Sequence, residues 1–294
     1  MAFCKQKVAL LLLCLSVLYN ICIGGRSFVE FEGGKTEDKE GRYDENAGYF
    51  CSWSRKYHGT RARINVWGIQ NVSPSSESAV FIAVMNENGP GHMMLAGFHV
   101  YPRLYSGNTD LRLFTAWTDR TTGHNGKACY SPDCKGFVLS HEHGAPVPGG
   151  TVEPLSTFDG EDHFITLSIK KDEKTQDWSL YRHDGNAVLI GWWPKSLFNN
   201  TFDMATRVIW QGGVLYPKNE TSPPMGSSHA ACEGEHKAAY ISHIKVFDQY
   251  GKTMEPYKVQ GVADKKDCFT IDEFKYSREH RNHFYYGGPA GCIN

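Results

Sequence analysis

The chain has 294 residues, of which 40% are hydrophobic and 13% aromatic, so it can bury a core and is not globally disordered. Its formal net charge of −1 gives no electrostatic basis for binding nucleic acid or an anionic membrane surface. The length suits one large all-β domain or two small domains.

Residues 1–25 have the features of a secretory signal peptide. A basic start with Lys5 and Lys7 precedes an apolar run, residues 8–23, and two glycines follow it. Asn20 interrupts the run, whereas a membrane anchor needs about 18 or more continuous apolar residues. The pattern favours cleavage near residue 25 over an uncleaved anchor. We therefore expect a secreted, extracellular protein with no membrane segment after cleavage.

Residues 26–50 are polar and charged and show no hydrophobic periodicity. Such a composition predicts a flexible lead-in. From residue 51 to residue 294 we expect one domain, in which residues 251–294 form a tail held by cysteines.

The domain reads as a series of β-strands. Runs rich in β-branched and aromatic residues alternate with Gly, Pro, Asn and Asp. The predicted strands are residues 62–70, 78–85, 96–101, 111–118, 136–141, 163–171, 178–183, 187–193, 206–216 and 238–247. One segment, residues 195–205, could form one or two helical turns after Pro194. So many strands with so little helix predict an antiparallel two-sheet sandwich or a barrel.

Six of the nine cysteines follow the predicted signal peptide, and an even number in an exported chain indicates disulfide bonds. Cys129 and Cys134 are close enough to close one loop. Cys268 and Cys292 would tie the C-terminal tail back on itself. Elimination leaves Cys51 and Cys232 as a weakly supported third pair, since six cysteines allow many pairings.

Three sequons, at Asn71, Asn199 and Asn219, predict N-glycosylation and agree with export. No cofactor motif is present. Two histidine groups, His141 with His143 and His229 with His236, lack the ligand number and spacing of a metal site, so we predict no metal.

Eight motifs follow one another along the chain. They occupy residues 57–67, 96–108 (AGFHVYPRLYSGN), 111–118 (LRLFTAWT), 129–138, 155–180, 190–198 (IGWWPKSLF), 225–234 (MGSSHAACEG) and 285–292 (YYGGPAGC). In this order they resemble the neprosin-domain family of secreted plant proteins. Its best-known members are prolyl endopeptidases of the glutamic class.

The resemblance implies a fold and an activity. The fold is a β-sandwich of two antiparallel sheets with an open cleft on one face. In the family, two glutamates face each other across that cleft. One acts as a base toward water and the other as an acid, because proximity drives their pKa values apart.

Neither glutamate is present in this chain. The first family position, just before the AGF run, is Leu95, and the second, in a strand reading WQGGV, is Gly213. Leucine and glycine transfer no proton, so the family mechanism has no acid or base here. A relocated dyad of Gln211 and Glu233 is the alternative, and it would make the chain an active acid prolyl endopeptidase.

The aromatic residues Trp192, Trp210 and Tyr216 are candidates for lining a cleft, since flat apolar rings commonly line binding pockets. Together these observations predict a monomeric, secreted protein of the plant apoplast or cell wall that is impaired in catalysis. The retained cleft is expected to bind a peptide or a glycan, and the expected partners are proline-rich peptides or cell-wall glycoproteins.

Overall fold

A computed structural model of the protein describes residues 41–52, 56–88, 91–118, 129–131 and 133–292. The predicted signal peptide and residues 26–40 of the predicted lead-in lie outside the described residues. Within the described ranges, no helix has the length and apolar character needed to cross a bilayer.

The described chain is built almost wholly from strands. These are β1 (Arg42–Cys51), β2 (Tyr57–Asn65), β3 (Glu77–Asn86), β4 (His92–Val100), β5 (Arg112–Thr118), β6 (Cys129–Tyr130), β7 (Val138–Leu139), β8 (Phe164–Lys171), β9 (Trp178–Arg182), β10 (Val188–Trp193), β11 (Arg207–Pro217), β12 (Ala239–Asp248), β13 (Thr253–Met254), β14 (Gln260–Ala263), β15 (Thr270–Ile271), β16 (Lys275–Ser277) and β17 (Arg281–Gly287). Short 3-10 helices span Pro102–Tyr105, Lys195–Phe198 and Ala231–Glu233.

The strands form two antiparallel sheets. Sheet A has the order β14-β1-β11-β3-β4-β5-β6, and sheet B has the order β15-β17-β12-β2-β8-β9-β10-β7. In sheet B, β13 also pairs with β12 and β16 with β17. The predicted two-sheet antiparallel sandwich is therefore confirmed.

The main core lies between the two sheets. Side chains alternate across each strand, so one set from each sheet meets the other. Trp210 on β11 and Trp178 and Trp193 from sheet B are fully buried there. The indole Nε1 of Trp210 donates to Thr60 Oγ1 on β2 at 2.8 Å, which joins the two sheets through a buried hydrogen bond.

Sheet A is covered on both faces near its centre. Every residue of β4 is buried, and a second apolar cluster packs on the face that points away from the core. We call this face the outer face of sheet A. Because it is defined by alternation, it carries the odd-numbered residues of β3, β4 and β11 and the even-numbered residues of β1 and β5.

Most predicted strands match observed ones within a few residues, and the predicted helical segment is the short 3-10 helix Lys195–Phe198. The predicted strand at residues 136–141 is reduced to β7. The prediction of a flexible lead-in to residue 50 is wrong for its last part, since β1 pairs with both β11 and β14. The C-terminal segment is more than a tail, because β17 pairs with β12 and β14 with β1.

Two of the predicted disulfides are confirmed, Cys129–Cys134 and Cys268–Cys292, with Cα separations of 5.3 and 6.1 Å. The pairing of Cys51 with Cys232 is wrong. Cys51 points into the core from the end of β1, whereas Cys232 is exposed in the 3-10 helix Ala231–Glu233, so their sulfurs face different surroundings.

Candidate functional site

The two positions of the missing glutamates both lie on the outer face of sheet A. Leu95 on β4 is opposite Ala83 of β3, and Gly213 on β11 is opposite Ala79 of the same strand. They are thus offset by four residues along β3, or about 13 Å in the strand direction. The expectation that these positions face each other directly is wrong, because they occupy different rows of the sheet.

Leu95 sits in the apolar half of this face, which we define by Ala83, Met93, Leu95, Phe114, Ala116 and Ile209. Leu95 is 7% exposed and Phe114 is 2% exposed. The expected open cleft is therefore not found at this position. A leucine side chain suits this apolar cluster, on whose Phe114 ring His99 and Tyr130 stack.

Gly213 sits in the polar half, which we define by Asp44, Asn46, Glu77, His99, Gln211, Gly213 and Asp264, with Tyr105 at its border. A Cβ built on Gly213 would lie 3.1 Å from Asn46 Oδ1 and 3.7 Å from Phe81. The Asn46 side chain thus occupies the space into which a glutamate at position 213 would grow. The glycine is matched to its cross-strand neighbour.

An imidazole and a carboxylate form one part of the polar half. His99 Nδ1 lies 2.7 Å from Glu77 Oε1, and His99 Nε2 lies 2.9 Å from the Tyr105 hydroxyl. Because a carboxylate only accepts, Nδ1 carries a hydrogen, and in the neutral ring Nε2 accepts from Tyr105. His99 is fully buried and stacks on Phe114, with ring centroids 4.1 Å apart.

Tyrosines surround this pair. The Tyr130 hydroxyl donates to Glu77 Oε2 at 3.3 Å. Burial raises the pKa of Tyr130 well above its ordinary value, and the nearby Glu77 charge adds to this shift. Burial also raises the pKa of Tyr105 to about 12. Both phenols are therefore hydrogen-bond donors at any physiological pH, and neither is a phenolate nucleophile.

Two aspartates and two amides form the other part. Asn46 Nδ2 donates to Asp44 Oδ1 and to Asp264 Oδ2, each at 3.1 Å, and the Asn46 backbone N–H also donates to Asp264 Oδ2 at 2.9 Å. Gln211 Nε2 donates to Asn46 Oδ1 at 2.6 Å. Asp264 follows β14, so this network also fastens β14 to β1.

Burial raises the pKa values of the carboxyl groups of this network, and the charge of Asp264 adds to the shift of Asp44 and Glu45. Burial raises the pKa of Asp44 to about 8, with further contributions from the charges of Asp264, Glu77 and Glu45. Burial also raises the pKa of Asp264. Glu45, which points to the other side of β1, has its pKa raised to about 7 by burial and by Asp264. The pKa values of Asp44 and Glu45 therefore lie close to neutral pH.

The predicted dyad of Gln211 and Glu233 is wrong. Gln211 is buried on the outer face of sheet A. Glu233 lies in the 3-10 helix that packs on β15 and β17 of sheet B, where its oxygens are 3.0 Å from His229 Nδ1 and 3.1 Å from the Ala230 amide nitrogen. Separate sheets hold the two side chains, so they cannot act on one water.

The predicted aromatic lining is wrong as well. Trp210 and Tyr216 are fully buried between the sheets, where Tyr216 packs against Tyr43. Trp192 is half-buried on β10, and because Trp193 faces the core, Trp192 points away from it on sheet B. None of the three reaches the outer face of sheet A.

Other predicted features are exposed. Asn71, Asn199 and Asn219 of the three sequons lie at the surface, and so do His141 and His143 in a loop after β7. Among the described residues, Glu235, Glu279 and His280 bring three potential ligand atoms within 4.8 Å of one another. The two glutamates are exposed, and the group lies on the sheet opposite to the polar half.

Sequence reasoning missed Asp44, Asn46, Glu77, His99 and Asp264. His99 could have been found, because strand alternation places it on the same face as Leu95. Asp44 and Asn46 were hidden in the segment interpreted as a lead-in. Asp264 belongs to a distant part of the chain, and only the pairing of β14 with β1 brings it to the site.

These features define a class of protein. It is an all-β sandwich that carries paired carboxyl groups on one outer face. The sequence model of the Neprosin family matches residues 74–289. The chain belongs to the Neprosin family.

The fold is similar to solved glutamic peptidases. Scytalido-glutamic peptidase with a peptide-based transition-state analogue matches at 11% identity and a TM-score of 0.43, covering 84% of this chain and 98% of that chain. The same enzyme with a transition-state analogue inhibitor gives 11% and 0.45, with coverages of 83% and 97%. SCP-B, an Eqolisin-family peptidase in complex with the tripeptide Ala-Ile-His, gives 9% and 0.43, with the same coverages. Similarities at this level assign no residue role and no activity to this chain.

Proposed function

We propose that this protein is a secreted, non-catalytic member of the Neprosin family that binds a peptide on the polar half of the outer face of sheet A. The observation that carries the proposal is the repacking at both family positions. Leu95 is enclosed by apolar side chains, and the Asn46 side chain lies in the space beside Gly213. Residues around each position are thus adapted to the replacement, which favours a changed role over a recently damaged enzyme.

The polar half has the properties of a binding surface. Asp44, Tyr105 and Arg112 are partly exposed there, beside buried groups held in fixed positions by hydrogen bonds. Arg112 stacks over the Tyr105 ring at 4.7 Å from its centroid. A rigid site with a few convergent polar groups and a flat ring suits recognition of an extended peptide, including proline-rich segments of cell-wall glycoproteins.

Export is supported by three observations. The N-terminal residues match a signal peptide, two disulfide bonds lie in the domain, and the asparagines of all three sequons are at the surface. Disulfide bonds persist in oxidising compartments. We place the mature protein in the apoplast or cell wall as a glycosylated monomer. Loss of mass after enzymatic deglycosylation of the secreted product tests this placement.

The first experiment combines cleavage and binding. A proline-containing fluorogenic peptide is incubated with the mature protein from pH 3 to pH 8, and binding of a labelled proline-rich peptide is followed by fluorescence anisotropy. We expect binding without cleavage. Tyr105→Ala should weaken binding several-fold, because it removes the flat ring and the hydroxyl beside His99. Tyr276→Ala, at an exposed tyrosine of sheet B, is the matched control and should bind as the wild type does.

Two outcomes would contradict the proposal. Equal weakening by Tyr105→Ala and Tyr276→Ala would place binding elsewhere. Cleavage by the wild-type protein that Asp44→Asn abolishes would make the chain a hydrolase with a different set of acids, since Asp44 and Asp264 share one hydrogen-bond donor and could divide acid and base roles.

A further inference from the structure

When Asp44 and Asp264 are ionised, the amide groups of the polar half have one consistent orientation. Asn46 Nδ2 donates to Asp44 and Asp264, and carboxylates offer acceptors to such a donor, so the nitrogen of this amide must point toward them. Asn46 Oδ1 then faces Gln211. Because Asn46 Oδ1 is an acceptor, the Gln211 atom that faces it must be the donor Nε2, which lies 2.6 Å away. The network, not a choice between similar atoms, fixes the position of Gln211 Oε1.

This orientation leaves Gln211 Oε1 without a hydrogen-bond donor. Gln211 is 0% exposed, and no donor in the described part of the chain reaches Oε1. Buried carbonyl oxygens almost always accept at least one hydrogen bond, because leaving one unmet costs free energy. The amide is joined directly to the group that holds both aspartates. The cluster therefore contains several acceptors and lacks one donor.

Lys265 is a positive charge near the cluster, and it acts on Glu45, which points to the other side of β1. Within the described residues, neither Asp44 nor Asp264 forms an ion pair with a lysine, arginine or histidine. Asp264, Glu77 and Glu45 are the charges that raise the pKa of Asp44, and the opposing contribution comes from the hydrogen bond of Asn46. A bound cation would relieve this repulsion.

We propose that Asp44, Asp264 and Gln211 form a subsite for the positively charged side chain of a basic residue, lysine or arginine, in the bound peptide. This inference rests on the proposed function and names the chemistry of one part of its ligand. An ammonium group has three N–H donors and a guanidinium group has five, so either can serve carboxylates and an amide oxygen together. Asp44 and Asp264 are partly exposed, so a side chain can approach them from solvent.

The ligand set favours an organic cation over a metal ion. Among the described residues, no third histidine, cysteine, aspartate or glutamate joins Asp44 and Asp264 in a group whose ligand atoms all lie within 4.8 Å of one another. Both carboxylate oxygens lie 3.1 Å from Asn46 Nδ2, a distance typical of N–H···O hydrogen bonds. Asn46 Nδ2 shows that these oxygens accept from N–H groups in their present positions.

The test compares peptides that differ in one charge. Two labelled proline-containing peptides carry either lysine or norleucine at the same position, and a second pair carries arginine or citrulline. At pH 8.5 we expect the charged member of each pair to bind about tenfold more tightly, as one charge-assisted hydrogen-bonding group provides. The preference should fall toward pH 5.5, because Asp44, with its raised pKa, becomes protonated while lysine keeps its charge.

Variants locate the subsite. Asp44→Asn and Gln211→Met should each reduce the lysine preference to less than about threefold. Glu233→Gln removes a comparable, half-exposed carboxylate on sheet B and should leave the preference unchanged. Should Asp44→Asn fail to fold, the ratio between the lysine and norleucine peptides on the wild-type protein, and its pH dependence, still test the subsite.

The outcomes separate the two proposals. If no peptide binds, charged or neutral, the proposed peptide-binding function fails. If lysine and norleucine peptides bind equally, the function stands and the cation subsite is wrong. If the lysine preference survives both Asp44→Asn and Gln211→Met, or grows stronger toward pH 5.5, the subsite lies elsewhere. Saturable binding of calcium that Asp44→Asn abolishes, without a lysine preference, would replace the organic cation by a metal.

Discussion

The two halves of the outer face of sheet A hold Leu95 and Gly213, the two positions at which the family resemblance predicts glutamates, and the surroundings of these positions are opposite in character. Around Leu95 the neighbours are apolar and buried, including Phe114 and Ile209. Next to Gly213 lie the Asn46 side chain and the Phe81 ring, and Asn46 belongs to the hydrogen-bonded network of acids and amides. The apolar half cannot accept a charge, while the polar half holds several charged or titratable groups that the family mechanism does not use.

The difference teaches that a strand position without a carboxylate can be accommodated in two structural ways. At position 95 a leucine side chain belongs to a packed apolar cluster. At position 213 there is no side chain, and Asn46 of the neighbouring strand lies next to the glycine. Restoring both glutamates would therefore disturb two quite different environments, and regained activity is not expected from that double substitution alone.

The largest expected effect is in the polar half. His99→Leu leaves Glu77 buried without its main partner, and removing one member of a buried ion pair or hydrogen-bonded pair costs about 3 to 4 kcal/mol. Urea unfolding of the purified variant measures the loss. His99→Gln can still donate to Glu77 and should lose clearly less. Equal losses for leucine and glutamine would show that packing on Phe114, and not the hydrogen bond to Glu77, holds this region together.

A somewhat smaller effect is expected in the apolar half. Leu95→Glu places a carboxyl group among apolar side chains, at a cost of about 3 kcal/mol at neutral pH. Burial would raise the pKa of the new glutamate, so the variant should be less unstable at pH 4 than at pH 7. Leu95→Met conserves volume and should cost less than about 1.5 kcal/mol. An unchanged unfolding midpoint for Leu95→Glu would mean that the acid reaches water and that this half is open.

The sequence predicted β3, β11 and β12, because each is rich in β-branched and aromatic residues that the strand buries. It failed at β1. That strand reads RYDENAGYFC, and its outward residues Asp44 and Asn46 are polar because they build the site. The polarity that indicated a flexible segment is a property of the functional face.

The site itself was only half predictable. Family motifs led to the outer face of sheet A, which holds the candidate site, through Leu95 and Gly213, and alternation could have added His99. The rest depends on long-range pairing. Asp44 and Asp264 are 220 positions apart in the chain, and they meet only through Asn46, to which both are hydrogen-bonded. The prediction that Trp210 and Tyr216 line a cleft is wrong because both side chains are buried in the core, as large apolar side chains usually are.

A third prediction uses pH to separate the halves. The pKa of Asp44 is raised from 3.8 to about 8, so its contribution to stability is fully present below pH 3.8 and is lost as pH rises through 8. We expect the protein to be less stable at pH 9 than at pH 5. Asp44→Asn should reduce that difference by about 1 to 2 kcal/mol, a value moderated by the partial exposure of Asp44.

Urea unfolding at pH 5, 7 and 9 measures this slope. Glu233→Gln, on sheet B, should keep the slope of the wild-type protein. A protein that gains stability between pH 5 and pH 9, or an Asp44→Asn variant with an unchanged slope, would show that Asp44 is well solvated and that the acids of the polar half do not repel one another.

The smallest expected effect belongs to Gly213→Ala. Alanine gains about 0.5 to 1 kcal/mol over glycine in a strand interior, but its Cβ would lie 3.1 Å from Asn46 Oδ1 and would push that side chain by a few tenths of an ångström. The two contributions nearly cancel, so we expect a change within about 0.5 kcal/mol.

Gly97→Ala, where the Cβ would meet the Val80 carbonyl oxygen of the adjacent strand, is the contrasting case and should be strongly destabilising. Comparable losses at both positions would mean that strand spacing requires the glycine at 213. A tolerated alanine at 213 would instead identify Asn46 as the group that excludes a larger side chain there, and Asn46→Ala should then make Gly213→Glu easier to accommodate.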